Sequence, residues 1–600
     1  MDTKSFWMPP IFHTFLRVAF WRPYAAAGVA WWWITRRKVR AANRLWAAAS
    51  KAPFAYKEWL RAHEQEQLFY STNPPQPKAT ITVAVHIAAG ADPAAALLTF
   101  RSIMSQQGAR WDLFLTGCVP KAMRDELGKC PRVTLLEKAD LSELEALTRV
   151  LERTEGAWLI RLEPGTTMTK GAIGRYLGFI DRAMLEAEFQ GAVFGDQDER
   201  LEDGTRKNPW LKPEWNEELF LAQDFISDAC ALPVAEARMC LARMEDEQST
   251  FHSLLFELLC NQRIEVRHLP AVVSTTPEGH WQRSSTEWIN MVERFVERQG
   301  GTVAPGPFGT AKVKWPLPQK LPMVSVIVPT RDRVELLSTC IEGVLKSTNY
   351  DNLEIIIVDN GSVEKSTLEY FQDITHDSRV KVVSWPRPYN YSEINNLGAA
   401  QAKGEYLCLL NNDIEIIDDS WLTEMMRYAV RTDAGAVGAR LLYPDASIQH
   451  AGVVVGLGGA AGHAHRALAD GEAGYFARPY CSHEATAVTA ACLLVEKAKF
   501  DAIGGLDAES FPIAYNDTDL CLRLRVKGWH NYYAAQAKLV HHESKSRSND
   551  FSPERLEGYM EELRQFQTRW GSETFSDPLH HCLLDRSSET YSLRFPSFSG

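Results

Sequence analysis

At 600 residues the chain is too long for one ordinary core, and its composition (45% hydrophobic, 24% charged) is that of a folded protein of two or three domains. A net charge of −11 excludes generic nucleic-acid binding, and eleven scattered cysteines with no C-x-x-C pair exclude a disulfide framework or a zinc site of the usual spacing. Such cysteine usage suits a reducing cytoplasm.

Residues 1–51 run against that average. They hold nine Lys/Arg and one acid, a net +8, together with Trp7, Trp21, Trp31, Trp32, Trp33 and Trp46. The longest apolar run, Tyr24–Ile34, is eleven residues, whereas a membrane-spanning helix needs about 20. Arg22-Pro23 blocks its backward extension, and there is no small-residue cleavage site of the signal-peptide kind. Basic residues mixed with tryptophans predict a segment lying in an anionic membrane interface, or else a helical arm packing its aromatics on the protein's own body. Residues 1–78 are therefore set apart as a basic, Trp-rich helical region.

From Ala79 the pattern alternates between strand and helix. Strands are predicted at Ile81–Ile87, Trp111–Thr116 and Ala157–Leu162, with helices over Pro93–Gln106 and Leu141–Arg153. This first α/β domain spans 79–299. Residues 300–322, with Pro305, Pro307, Pro316, Pro318 and Pro322, read as a semi-rigid linker.

The alternation then restarts in 323–548. Strands are predicted at Met323–Pro329, Leu353–Val358, Val380–Trp385 and Tyr406–Leu410, with helices over Arg333–Ser347, Glu364–Ile374 and Ser392–Lys403. Two α/β domains that both begin strand–helix–strand predict a diverged internal duplication. Residues 549–600 form a C-terminal helix and tail; the helix, Phe551–Arg569, is expected to dock through Leu556, Met560, Leu563 and Phe566.

In open α/β sheets, ligands bind beyond the carboxyl ends of the strands. There the second domain places Asp359, whose carboxylate can accept the imide N–H of a uracil or thymine, and Asp413, which can hold a hard cation and through it a diphosphate. Asp517 and Asp519 open a helix, where acids are favoured by the helix dipole whatever their function. His541 and His542 end a late strand.

Seven segments in this order resemble the family 2 glycosyltransferases, and among them bacterial O-antigen and polysaccharide enzymes of the rhamnosyltransferase kind. They are VSVIVPTRDR, IIIVDNGS, NYSEINNLGAAQAKGEYLCLLNNDIE, YPDASIQHAGVVVGLGGAAGHAHR, VTAACLLVEKAKFDAIGGLD, YNDTDLCLRLRVKGW and HHESKSR. The fold this resemblance implies is GT-A, here as two tandem domains, the first degenerate. It implies that Pro329, Thr330, Arg331 and Asp359 line the nucleoside pocket and that Asn396 helps hold the donor. Asp413 matches the second acid of the family's D-x-D motif, with Asn411 in place of the first. His541 completes the metal or diphosphate site, with His542 the runner-up, and Asp517 matches the general base. Asp519, His463 and His465 are weaker candidates for acceptor or diphosphate contact. Mg²⁺ or Mn²⁺ is the implied cofactor, and a nucleotide-diphosphate sugar (dTDP-rhamnose or a UDP-sugar) the implied donor. The acceptor would be a hydroxyl of a surface or lipid-linked glycan, met on the cytoplasmic face of the cell membrane, with inversion at the anomeric carbon.

In the first domain the metal-holding acid falls on Gly165, and the nucleoside-binding position reads Leu115-Thr116-Gly117-Cys118. That predicts a scaffold or acceptor platform, in which Asp196, Asp198 and Glu199 could mark a residual sugar site and Glu163 is the one acid left to hold a metal alone. Two other function classes are a sugar nucleotidyltransferase and a non-catalytic glycan-binding protein. The former calls for a Gly-rich loop after the first strand, where this chain has Pro329-Thr330-Arg331-Asp332.

Overall fold

The computed structural model describes residues 10–35, 45, 48–49, 52, 54–61, 79–127, 130–138, 141–187, 189–244, 250–282, 286–542, 553–587, 589 and 591–594. The first sheet contains β1 (Ile81–Ile87), β2 (Trp111–Gly117), β3 (Val133–Glu137), β4 (Trp158–Leu162), β5 (Thr167–Met168), β6 (Ala192–Arg200), β7 (Arg206–Trp210), β8 (Ala231–Pro233) and β9 (Val266–Pro277). A hairpin of β10 (Thr302–Pro305) and β11 (Ala311–Lys314) follows. The second half contributes β12 (Val324–Thr330), β13 (Leu353–Asp359), β14 (Val380–Ser384), β15 (Tyr406–Leu410), β16 (Ile414–Ile416), β17 (Ala434–Leu442) and β18 (Ile448–His450). It is completed by β19 (Val453–Val455), β20 (Ala461–His463), β21 (His483–Ala485), β22 (Cys492–Glu496) and β23 (His530–His541).

The first sheet runs β3-β2-β1-β4-β8-β6-β9-β5, with β7 on β6; the second runs β14-β13-β12-β15-β22-β17-β23-β16, with β18 on β17. Replacing each strand of the first by its counterpart in chain order gives the second. The sense of every pairing agrees as well. The leading strands are parallel, β8 and β22 are antiparallel to both neighbours, and β9 and β23 return parallel to β6 and β17. Both halves therefore fold to one plan, the mixed α/β sheet of the GT-A class.

The residues explain the strands. VSVIVPT, LEIIIVD and YLCLL are buried at every position, as central parallel strands covered on both faces require. A glycine precedes the fourth strand in both halves for the same reason: a Cβ on Gly156 would lie 2.3 Å from Thr82 Oγ1, and one on Gly404 2.6 Å from the Ser325 nitrogen. Most predicted elements stand within two residues of their expected ends.

Two expectations need correcting. Residues 300–322 are no free spacer, because the β10–β11 hairpin packs into a core shared by both sheets and Trp315 donates its indole N–H to buried Glu218 at 3.0 Å. The helix Pro553–Trp570 docks through Phe566 of the expected face but not through Leu556 or Met560. Leu556 and Met560 are about half exposed, while Phe566 is buried and Glu562 accepts the Ile513 and Ala514 amides. The tail, which offers no pattern in sequence, wedges between the halves: His581 meets Asp196, and Leu584 and Tyr591 join a small core with Tyr56, Trp59, Val272 and Val454.

Near the amino terminus, helices Pro10–Trp21 and Pro23–Ile34 meet at Arg22. Val18, Ala26 and Val29 face inward, whereas Phe20, Tyr24, Trp31 and Ile34 are exposed, two of them above 90%. The remaining parts of the 1–51 segment largely lie outside the described residues. Among the described residues no helix is long and apolar enough to cross a membrane.

Candidate active site

Strand β15 ends at Leu410, and the chain turns through Asn411-Asn412-Asp413 into β16, which pairs with the end of β23. That pairing sets Ile414 opposite His541 and brings the imidazole Nε2 to 3.1 Å from Asp413 Oδ1. His541 Nδ1 lies 2.6 Å from Gln449 Oε1. A proton on Nδ1 satisfies that carbonyl oxygen and leaves Nε2 as the ring nitrogen that faces Asp413. Asn411 Nδ2 completes the group, 3.3 Å from the same Nε2.

Asn411, Gln449, His541, Asp517, His463 and Arg466 line one cavity of about 170 Å³. Asp517 sits in the first turn of the helix Asn516–Val526 without capping it. Its Oδ2 accepts the Ala490 amide at 3.0 Å and its Oδ1 the Thr518 amide at 2.7 Å, so the carboxylate is held in one orientation. Asp359, ending β13, accepts the Ser362 amide and hydroxyl at 2.9 and 2.6 Å. Thr330 is its cross-strand partner and accepts a bond from Asn412 Nδ2 at 3.0 Å, which links the Asp359 end of the sheet to the Asp413 turn. Pro329 is buried beside Thr330, and Arg331 is exposed at the strand's end.

Other candidates are engaged elsewhere. Asn396 makes two bonds to the Leu506 backbone, at 2.8 and 3.0 Å, and so pins a loop. Asp519 is buried against Arg523, Arg569 and Trp570, where it anchors the C-terminal helix. His465 stacks on Tyr591 at 4.3 Å, and burial pushes its pKa far down. His542 bonds Glu415 at 2.7 Å, so of the two adjacent histidines it is His541 that lines the cavity. His463 lines that cavity with its Nδ1 3.0 Å from His450 Nδ1. Sequence reasoning missed Gln449 and Tyr391; Gln449 lies in the quoted IQHAG segment but has no charge to draw notice.

Comparison with known proteins names this half. Residues 325–451 match the family model described as "Glycosyl transferase family 2". Residues 325–451 are thus a family 2 glycosyltransferase domain within the chain. The chain is 34% identical to "Uncharacterized protein y4gI" of Sinorhizobium fredii over 84% of its own length and 58% of that protein. It is 30% identical to "O-antigen biosynthesis protein RfbC" of Myxococcus xanthus over 76% of its length and 36% of that protein. The chain thus spans little more than half of the one relative and about a third of the other. Among solved structures, a mannosyltransferase of Pyrobaculum calidifontis in complex with GDP-Man and Mn²⁺ aligns at 13% identity over 49% of this chain and 74% of that one, TM-score 0.32.

The strand registers show what the first half lacks beside this glycosyltransferase domain. Thr82 pairs with Leu159 as Ser325 pairs with Leu407, which sets Gly165 where Asp413 stands and Glu163 where Asn411 stands. Ile87 pairs with Gly117 as Thr330 pairs with Asp359. Thr167 pairs with Thr275 as Glu415 pairs with Val540, so Thr276 takes the place of His541. Glu163 is not a lone metal acid either, since it accepts from Arg161 at 2.7 Å.

The acids of the GDQDER segment are likewise spent internally. Asp198 accepts from Tyr56 and Arg206, and Glu199 from Asn208 and the Gly279 amide. Asp196 lies between His268 and His581, close enough for their ligand atoms to surround an ion. Hydrogen bonding argues for a clasp instead. His581 Nδ1 accepts the Leu583 amide, so the proton of a neutral ring sits on Nε2 and points at Asp196. Burial opposes ionisation of Asp196, yet the two imidazoles outweigh it and hold the carboxyl well below the ordinary range.

Proposed function

We propose that the protein is a metal-dependent inverting glycosyltransferase, moving a sugar from a nucleotide-diphosphate donor to a hydroxyl of a cell-surface or lipid-linked glycan. The observation that carries this reading is the convergence of Asp413, His541 and Asp517 on one turn-and-cavity at the strand ends of the second sheet. The donor set fits the cofactor: one carboxylate oxygen and one imidazole lone pair, with substrate phosphates to complete the shell, suit Mn²⁺ or Mg²⁺.

Asp413 and His541 would hold the ion, which when bound supplies the positive charge that stabilises a departing diphosphate. Asn411 keeps this turn less anionic than two acids would. Asp517, fixed by two backbone amides, takes the proton of the acceptor hydroxyl as that oxygen attacks the anomeric carbon. Attack opposite the leaving group needs one base and no covalent intermediate, which gives inversion. Asp359 and Thr330 form the nucleoside end, where a carboxylate accepts a pyrimidine imide N–H; dTDP-rhamnose and UDP-sugars are the favoured donors.

The layout we propose is a catalytic domain over 323–548 and a donor-incompetent domain over 79–299 acting as acceptor platform. The two helices over 10–34 would sit on the inner face of the cell membrane, their exposed Phe20, Tyr24 and Trp31 among lipids and Arg22 at the headgroups. The catalytic reading is tested by nucleotide release from a panel of dTDP-, UDP- and GDP-sugars with Mn²⁺ and no acceptor. Slow release that Asp413→Ala abolishes is expected; no release from any of them would count against an enzyme and favour a glycan-binding protein. The membrane reading is tested by flotation with anionic liposomes, which removal of residues 1–51 should end.

A further inference from the structure

The first sheet has lost the donor groups and carries other polar residues near its strand ends. Register places Glu163 at the Asn411 position, and counting back from the β4–β8 pairing places Asp228 at that of Ala491, both of which line the cavity of the second domain. Around these positions the first domain has assembled its own polar group. Asp228 Oδ2 lies 3.1 Å from His280 Nε2 and accepts from Gln197 Nε2 at 3.3 Å; among the described residues none bonds its Oδ1. The side chains of Asp228 and His280 are still 15% and 20% exposed, so the pair is reached from solvent.

Lys212 is wholly buried, and its amine has no hydrogen-bond partner among the described residues but lies 5.7 Å from the centre of the Trp210 ring; burial pushes its pKa down, with Asp228 the first group to oppose that. A buried amine without an acceptor is costly unless something else supplies one. Beside His280 in the chain, Trp281 is only partly buried where it meets Phe476 of the second domain and Trp210 edge to face, at 5.3 and 6.5 Å. An aromatic ring, a carboxylate with an open oxygen and an amine donor without an acceptor are what a sugar ring satisfies at once. Its C–H face packs on the ring, and its hydroxyls both donate and accept.

We propose that this group of side chains, Asp228, His280, Lys212 and Trp281, forms a binding site for a neutral sugar unit of the acceptor glycan, held away from the point of transfer. The identity of the ligand as acceptor rests on the glycosyltransferase reading; the binding of a sugar does not. A metal-bridged nucleotide is disfavoured here, because Gly165 and Thr276 stand where the second domain has Asp413 and His541. Since Phe476 comes from the catalytic half, the site stands at the seam between the domains, where a chain of sugars can reach both.

The experiment uses the full-length protein, without metal or nucleotide, and the delipidated surface polysaccharide of its source organism as the probe in biolayer interferometry. Saturable binding is expected, weakened at least tenfold by Asp228→Asn and by Trp281→Ala. The second substitution, at a partly exposed ring, keeps the test decisive if the first lowers the melting temperature. Absence of saturable binding, or binding that folded variants retain, overturns the proposal. Donor hydrolysis by the same preparation reads the catalytic proposal separately: hydrolysis without polysaccharide binding sinks the second site alone, and binding without hydrolysis sinks the enzyme alone.

Discussion

The two halves of this chain share a strand order and differ at the strand ends. Where the second sheet carries Asp359, Asp413 and His541, the first carries Gly117, Gly165 and Thr276. The loss extends to the backbone. Gly117 and Gly165 both adopt φ values in the left-handed region, +81° and +103°, and a Cβ on Gly117 would stand 2.3 Å from the Ile87 carbonyl oxygen. An acid can no longer be restored there by substitution alone. A sheet can thus keep its packing, which is set by strand interiors, while its ligand chemistry, set by the residue at each strand's end, is replaced.

The comparison can be broken most sharply at the base. Asp517→Asn in the second domain should lower kcat by roughly 10²–10⁴-fold with nucleotide affinity nearly intact, as single-turnover kinetics and calorimetry would show; retained turnover would remove Asp517 from its role. Restoring the lost acid should fail. Gly117→Asp is expected to cost about 2–4 kcal/mol in denaturant unfolding and to confer no nucleotide binding on the first domain.

Removing Gln449, which bonds His541 Nδ1, should sharpen the account of the intact site. Gln449→Ala is expected to weaken Mn²⁺ affinity by roughly 10–100-fold, read by titrating metal against donor hydrolysis. The smallest effect concerns the pair peculiar to the first domain. Asp228 raises the His280 pKa from 6.5 to about 9 against the opposing effect of burial. Because the folded value is the higher one, the stabilisation is fully present below about pH 6.5 and is lost as pH rises through 9. A fall of about 1–2 kcal/mol in unfolding free energy over that window is expected, discounted for partial exposure, and His280→Gln should flatten it.

Much of this was legible in the sequence, because the signals were local. Buried runs such as VSVIVPT and YLCLL fix strands by hydrophobicity alone, and the polar residue that ends each one is read directly. Even the loss of both acids from the first domain followed from counting along β2 and β4. What sequence could not supply were contacts made across long separations. Asp519 resembles a site acid at a helix start, but Arg569 and Trp570, some fifty residues on, claim it. Asp196 and His581 are 385 positions apart, and nothing in either neighbourhood announces the other. The docking face of the C-terminal helix is legible at Phe566, but apolar spacing also favours Leu556 and Met560, which stay half exposed, whereas Glu562 and Arg569 reach hydrogen-bond partners on the body.

Counting nucleotide sites puts the asymmetry between the halves to its most direct test. Calorimetric titration of the full chain with UDP, dTDP and GDP in the presence of Mn²⁺ should give one site per chain for the preferred nucleotide, abolished by Asp413→Ala. Two sites per chain, or a single site that survives Asp413→Ala, would contradict the assignment of donor binding to the second sheet alone.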